Sequence, residues 1–321
     1  MDLAPSSHPC PSPLARRRFL SAAAALAAAS LSPLGLAQSP RTRLVLLGTG
    51  GGPRVTAKGR AKPATLIVVN NMPCVIDCGD GVALQLVRAG IALDTLRHIF
   101  ITHHHSDHNL DYGNLVYAGW VAGLRTNVDA WGPPPLKAIT ESYFQMNRFD
   151  IETRIADEGR VDLRKLLTAH EFAKDGPVMR NEDVKVSAAR VRHPPIEQAY
   201  AYRFDAADRS IVISGDTTYS PELIALAKGA DVLVSEVMHL GGLERLLAKI
   251  PNATTLREHL LASHITTEDL GRLAAEAGVK TLVLSHLVPG DDPSITDAMW
   301  TEGVRKHYSG TVVVGRDLLE I

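Results

Sequence analysis

The 321-residue sequence has little cysteine, few aromatic rings and almost no net charge. Three cysteines are too few for a disulfide framework. Cys10 lies in an N-terminal segment unlike the rest. Cys74 and Cys78 share one strand-like run in which four residues span roughly 13 Å, about twice the reach of a disulfide; both read as buried thiols. Aromatics at 5% offer little surface for base stacking. With 34 basic against 35 acidic residues, no basic excess marks a polyanion binder. Broad affinity for nucleic acid or an anionic membrane is therefore not expected. What remains is a globular composition, 45% apolar and 21% charged, long enough to bury a large core. It also holds 13 histidines, unevenly spread.

Residues 1–40 have a composition of their own. A polar, proline-rich start leads to Arg16-Arg17-Arg18-Phe19-Leu20, then an Ala/Leu-rich run to about Leu31 and small residues around Ala37. A basic region, a short apolar region and a small-residue cleavage site are the three parts of an export signal. The run is short and alanine-rich against the 20 or so strongly apolar residues of a stable span. The Arg-Arg-x-Phe-Leu order resembles the twin-arginine signal, which implies export of the folded chain. Residues 1–37 are thus expected to be a signal peptide, 38–321 a single domain, and the mature protein soluble and periplasmic in a bacterium.

After residue 40 no repeat, linker or domain boundary is evident. Strands are predicted over 43–47, 65–69, 74–76, 98–101, 128–131, 184–191, 199–204, 210–213, 232–235, 281–284 and 311–314. Helices are predicted over 81–89, 113–124, 134–147, 221–228, 267–277 and 296–308. Two sheets packed face to face with helices outside, an α/β arrangement, would bury these strands on both sides. The charged stretch 148–180 reads as an insertion near the site, and 148–180 and 239–262 are expected to shape the pocket.

The chemistry concentrates in Thr102–His108, directly after an apolar strand. His103 and His105 can share one ion, and Asp107 with His108 can reach a second; imidazole and carboxylate together suit zinc or a harder dication. His193, Asp216, His264 and His286 are single residues, and each alone reads as a satisfied structural side chain. Their shared position at strand ends makes them ligand candidates, and together they complete a two-metal set. His98 reads as a residue at the surface or behind the site, and His104 as pointing away from His103 and His105. His239 is a weaker candidate for the pocket wall. Gly48–Gly52 lacks the Lys-Ser/Thr of a nucleotide loop and reads as a tight turn beneath the site.

The order His-x-His-x-Asp-His, then His, then Asp in Gly-Asp-Thr, then His resembles the metallo-β-lactamase superfamily of hydrolases, over nearly the whole mature chain. Leu47–Pro53, Glu236 and His264-Ile265-Thr266 resemble its ribonuclease Z and arylsulfatase-like branch. The resemblance implies a four-layer αβ/βα sandwich. It places His103, His105 and His193 on one metal, Asp107, His108 and His286 on a second, and Asp216 between them. Asp77 matches an early aspartate that is structural, while Glu236 and His264 fall beside the metals. His264 is followed by Ile where the branch has a small residue, and no Gly- and Lys-rich arm for tRNA is present.

The cofactors so implied are two divalent cations, zinc first, with manganese or iron as alternatives. A water shared between them would ionise near neutral pH. Asp107 would orient that nucleophile, and His264, beside Glu236, would assist the leaving group. The expected activity is cleavage of phosphodiester or sulfate esters. An acyl hydrolase of lactones, thioesters or β-lactams is the alternative, and a non-catalytic metal-binding protein the alternative of another class. Expected partners are a small-molecule ester and the twin-arginine export machinery, with a homodimer left open, no nucleic acid and no stable membrane anchor.

Overall fold

A computed structural model describes residues 42–57, 59–250 and 254–321, so the expected signal peptide at 1–37 lies outside the described residues. The first half opens with β1 (Thr42–Gly48), β2 (Ala64–Val69) and β3 (Met72–Ile76). Leu44 and Leu46 of β1 face one side and Val45 and Leu47 the other; Ile67 and Val69 of β2 oppose Leu66 and Val68 in the same way. A strand apolar on both faces must be covered on both. Asn70 and Asn71, at φ 48° and 67°, make the two-residue hairpin between β2 and β3, a left-handed pair that asparagine tolerates and that matches strand twist. There follow α1 (Val82–Arg88), β4 (His98–Phe100), α2 (Ser106–Asn109), α3 (Tyr112–Val121), β5 (Val128–Gly132), α4 (Leu136–Met146), α5 (Arg148–Glu158) and β6 (Leu167–Glu171).

The second half holds β7 (Gly176–Arg180), β8 (Val184–Arg190), β9 (Tyr200–Ala206), β10 (Ser210–Ile213), α6 (Pro221–Ala227) and β11 (Val232–Met238). It continues with α7 (Leu240–Leu247), α8 (Thr254–Ser263), α9 (Thr267–Ala277), β12 (Thr281–Val288), α10 (Asp297–Arg305), β13 (Thr311–Val314) and β14 (Leu319–Glu320). The strands form two mixed seven-stranded sheets, ordered β14-β1-β2-β3-β4-β5-β6 and β13-β12-β11-β10-β9-β8-β7. Their apolar residues sort into three layers. Val82, Leu86, Leu115 and Trp120 cover the outer face of the first sheet. Leu223, Leu270, Leu273 and Val304 cover that of the second. Leu44, Ile67, Phe100, Tyr202, Phe204 and Val283 fill the space between the sheets. Three apolar layers separate four layers of structure, the expected αβ/βα sandwich.

Two expectations about the middle of the chain change. Residues 148–180 are no insertion beside the site. They supply α5, the edge strand β6 of one sheet and the edge strand β7 of the other, and none of them lines the catalytic cavity. Their charge reflects half-exposed edge positions, as in β7, where only Met179 is buried. By contrast 239–262, with no predicted element, form α7 and α8 and do line that cavity. Cys74 and Cys78 are free and buried, and burial pushes the Cys74 thiol up to about 12. Among the described residues no helix is long and apolar enough to cross a membrane.

Candidate metal centre

Edge-to-face packing of Phe100 on Tyr202 and Phe204, at 5.5 and 5.1 Å between ring centroids, locks the end of β4 between the sheets. The hydroxyl of Tyr202 donates to Ile101 O at 2.8 Å, and the Tyr200 N–H donates to Thr102 O at 3.0 Å. The loop that leaves β4 is therefore held from the opposite sheet. His103 and His105 lie on it, and Asp107 and His108 fall in the single turn of α2. His193 follows β8, Asp216 follows β10, and His264 follows α8. Gly215 stands at φ 60°, where a Cβ would come within 2.9 Å of Tyr200 O. That close approach lets Asp216 enter the cluster.

His286 differs from expectation: it lies inside β12, not after it. The β11–β12 register shifts between Ser235 and Val237, so β12 bulges and His286 takes φ 39°. A bulge re-aims one side chain; here it turns the imidazole toward the metal-side carboxylates.

The ligand atoms converge. His103 Nε2 and His193 Nε2 each lie 3.0 Å from His105 Nδ1, and each is 3.9 Å from Asp216 Oδ2. On the other side His108 Nε2 is 3.3 Å from Asp216 Oδ1 and 3.6 Å from Asp107 Oδ2. His286 Nε2 is 3.2 Å from Asp216 Oδ2 and 3.4 Å from Asp107 Oδ2. Among the described residues Asp216 alone reaches both trios.

The donor chemistry fits cations. His193 Nδ1 donates to Ser263 O at 2.8 Å, and His108 Nδ1 donates to Asp77 Oδ2 at 2.7 Å. Thr102 Oγ1 donates to Asp77 Oδ2 at 2.9 Å, so it accepts from His103 Nδ1 at 3.0 Å. Each bond fixes a tautomer that turns an Nε2 lone pair inward, as in metal sites whose histidines are oriented from behind. His108 Nε2, Asp216 Oδ1 and both His286 nitrogens are buried without a hydrogen-bond partner. Lone pairs this close repel unless a cation sits among them.

Burial alone would raise Asp216, but His286, His108 and His103 hold it well below the usual carboxylate range. Burial would likewise depress His108, but Asp216, Asp77 and Asp107 together drive it well up. Burial keeps His103 low and brings His193 down to about 4, so both are neutral at pH 7. The sign for metal uptake follows. Below its raised pKa His108 carries a proton that an incoming cation must displace, so affinity rises with pH, by about tenfold per unit for one proton. Titration calorimetry in buffers of different ionisation enthalpy is expected to record about one proton released; zero release would show that His108 is already neutral in the metal-free protein.

Asp77, at φ 62°, accepts from Thr102 N–H at 2.8 Å as well as from Thr102 Oγ1 and His108. It orients two ligands and the loop between them. Asp77→Asn is expected to weaken metal binding about 10- to 100-fold, read by competition with a chromogenic chelator. Unchanged affinity would remove Asp77 from that role.

Of the other histidines, His104 bonds Pro133 O and Asn109, away from the cluster. His98 is half-buried beside Phe100. His239, considered for the pocket wall, instead caps α7 by accepting from Gly242 N–H at 2.9 Å, and it does not line the cavity. Gly51 and Gly52 do pack under the site: a Cβ on Gly51 would stand 2.8 Å from the His286 ring, and Gly52 N–H donates to Asp107 Oδ2 at 2.9 Å.

Residues 74–287 match the Beta-lactamase superfamily domain. The chain belongs to the beta-lactamase superfamily. It is 31% identical over 277 residues to a ribonuclease Z of Mycobacterium sp. (strain KMS), covering 86% of this chain and 94% of that protein. Among solved structures it is similar to the metallo-beta-lactamase fold protein YhfI from Bacillus subtilis, with a TM-score of 0.64, 21% identity and 87% and 98% of the two chains covered. Human tRNase Z, short form, is similar at a TM-score of 0.64, 18% identity and coverage of 87% and 98%. This superfamily member is a metal-dependent hydrolase by family.

Sequence reasoning missed several residues of the site. Thr102 and the Ser263 carbonyl orient ligands, and Lys62 lines the cavity, whereas its apolar wall of Leu246, Ile250, Leu256 and Leu260 falls in the 239–262 stretch expected to shape the pocket. Thr102 carried a signal, standing directly before His103 at the end of an apolar strand.

Proposed function

We propose that this superfamily member is an exported, dinuclear-metal hydrolase of phosphodiesters, working in the bacterial periplasm. The reach of Asp216 to both ligand trios carries the dinuclear reading. The phosphodiester reading draws on the relatives named ribonuclease Z, since that is the bond a ribonuclease breaks. His103, His105 and His193 would hold one cation, and Asp107, His108 and His286 the other, with zinc favoured by the imidazole-rich set. When bound, two such cations polarise the ester oxygen and lower the pKa of an attacking water.

The chain's own groups do the rest. Asp107 Oδ2, the oxygen that faces His108 and His286, also accepts from Gly52 N–H, which fixes the carboxylate that would orient the nucleophile. His264 Nδ1 lies 2.8 Å from Glu236 Oε2, while Thr217 N–H donates to Glu236 Oε1 at 2.6 Å. Burial, with Asp216 nearby, pushes the Glu236 carboxyl well up, and burial brings His264 down. The shared proton therefore rests on Glu236, His264 Nδ1 accepts it, and Nε2–H remains as a donor from a ring that lines the cavity. Such a donor stabilises charge on a departing oxygen.

The test is turnover of bis-p-nitrophenyl phosphate by the zinc- or manganese-loaded mature protein, beside matched sulfate and acyl esters. Phosphodiester cleavage that is lost on chelation supports this reading. Preference for the sulfate or acyl ester keeps the metal site and replaces the substrate class.

A further inference from the structure

The cavity in front of the His/Asp cluster holds about 440 Å³, the size of a small-molecule site. Its two sides differ in chemistry. One is apolar, built from Leu246 and Ile250 at the end of α7 and Leu256 and Leu260 on α8. Leu256 and Leu260 are four apart and share one helix face. Behind them Met238, Leu243 and Leu247 form a small core of their own, so the wall is backed rather than free. The other side carries Lys62.

Lys62 is only 7% exposed. Among the described residues no carboxylate lies within ion-pair distance of it, although neighbouring cations are matched. Arg60 donates to Thr49 Oγ1 and Gly315 O, and Arg54 faces Asp291 at 4.0 Å. The Lys62 stem runs over Gly79, where a Cβ would come within 2.6 Å of the lysine Cβ, so its course is fixed. Burial lowers its pKa, an effect that Asp107, Asp291, Asp80 and Asp317 oppose from a distance. Lys62 lines the cavity, so its ammonium is open to a ligand there. At the edge of a catalytic cavity, the group that completes it is a substrate anion.

We propose that the substrate is an amphipathic ester whose phosphate anion also pairs with Lys62, with an apolar chain or ring laid along Leu256 and Leu260. This rests on the reading of the site as an ester hydrolase and adds the class of molecule it takes.

The experiment uses the zinc-loaded mature protein and p-nitrophenyl alkyl phosphodiesters from methyl to octyl. The expected kcat/KM rises about fourfold per methylene, and Leu256→Asn with Leu260→Asn flattens that slope. A flat series in the unmutated protein overturns the proposal. Lys62→Met is expected to raise KM at least about tenfold, with kcat falling far less, and Lys62→Arg to recover most of the loss. An unchanged KM, or a loss confined to kcat, overturns the role of Lys62. Calorimetric binding of methyl- to octylphosphonate to the unmutated protein reads the same slope without turnover or variants. Phosphonate binding that steepens with chain length, without phosphodiester cleavage, would refute the proposed reaction while supporting this inference; a flat phosphonate series would refute the inference alone.

Discussion

Asp216→Ala is expected to lower turnover by on the order of 10³-fold or more and to reduce bound metal from two equivalents per chain to one. The carboxylate is 3% exposed and stands 3.3 Å from His108 and 3.2 Å from His286, with His103 and His193 each at 3.9 Å. Among the described residues no other carboxylate touches both trios. Removing it leaves His103, His105 and His193 a three-imidazole set, sufficient for one zinc. The second trio keeps only Asp107 as a charged ligand, and its cation would have to sit opposite five histidines with half the neutralising charge gone. Elemental analysis of the purified variant, alongside steady-state rates, checks both halves of the expectation. Two retained equivalents with undiminished turnover would remove the shared-carboxylate assignment.

The candidate ligand set was legible in the sequence because most of its members follow closely on a buried apolar run. Phe100-Ile101 before His103 and Ile211–Ile213 before Asp216 announce a strand end, and a strand end is a rigid place from which to present a side chain. His286 followed the same pattern but reaches the site by a bulge within β12, a register event set by β11 and invisible in either strand alone. The alternation in β1 and β2 carried the two-sided burial, and with it the layered fold. Edge strands β6 and β7 were hidden because half-exposed strands lose their apolar signal. The leucine wall was legible only as a stretch: 239–262 was expected to shape the pocket, but only tertiary packing shows that Leu246, Ile250, Leu256 and Leu260 are the residues that face the cavity. Lys62 is a single charge before a buried strand, and no local pattern separates a surface lysine from one buried without a partner.

Substitutions at Glu236 discriminate between two ways of running the same site. His264→Ala is expected to cost about 10²–10³-fold in kcat, and more on alkyl than on p-nitrophenyl leaving groups, because a basic leaving oxygen needs the donor more. Glu236→Gln then locates the proton. If the carboxyl is protonated, glutamine reproduces both of its bonds: the amide oxygen accepts Thr217 N–H, and the amide N–H donates to His264 Nδ1. Nε2–H is preserved, and turnover stays within about tenfold of the unmutated enzyme, the lower end of what disturbing a supporting bond costs. Glu236→Ala frees the ring and loses about 10²-fold. If the carboxyl were instead ionised and accepting from Nδ1–H, glutamine would set an N–H against an N–H. The ring would turn or change tautomer, and Gln would be as damaging as Ala. The ratio of the two variants' kcat values, measured on one alkyl phosphodiester with metal content checked to be equal, therefore reports which edge of His264 carries the proton that the leaving oxygen meets.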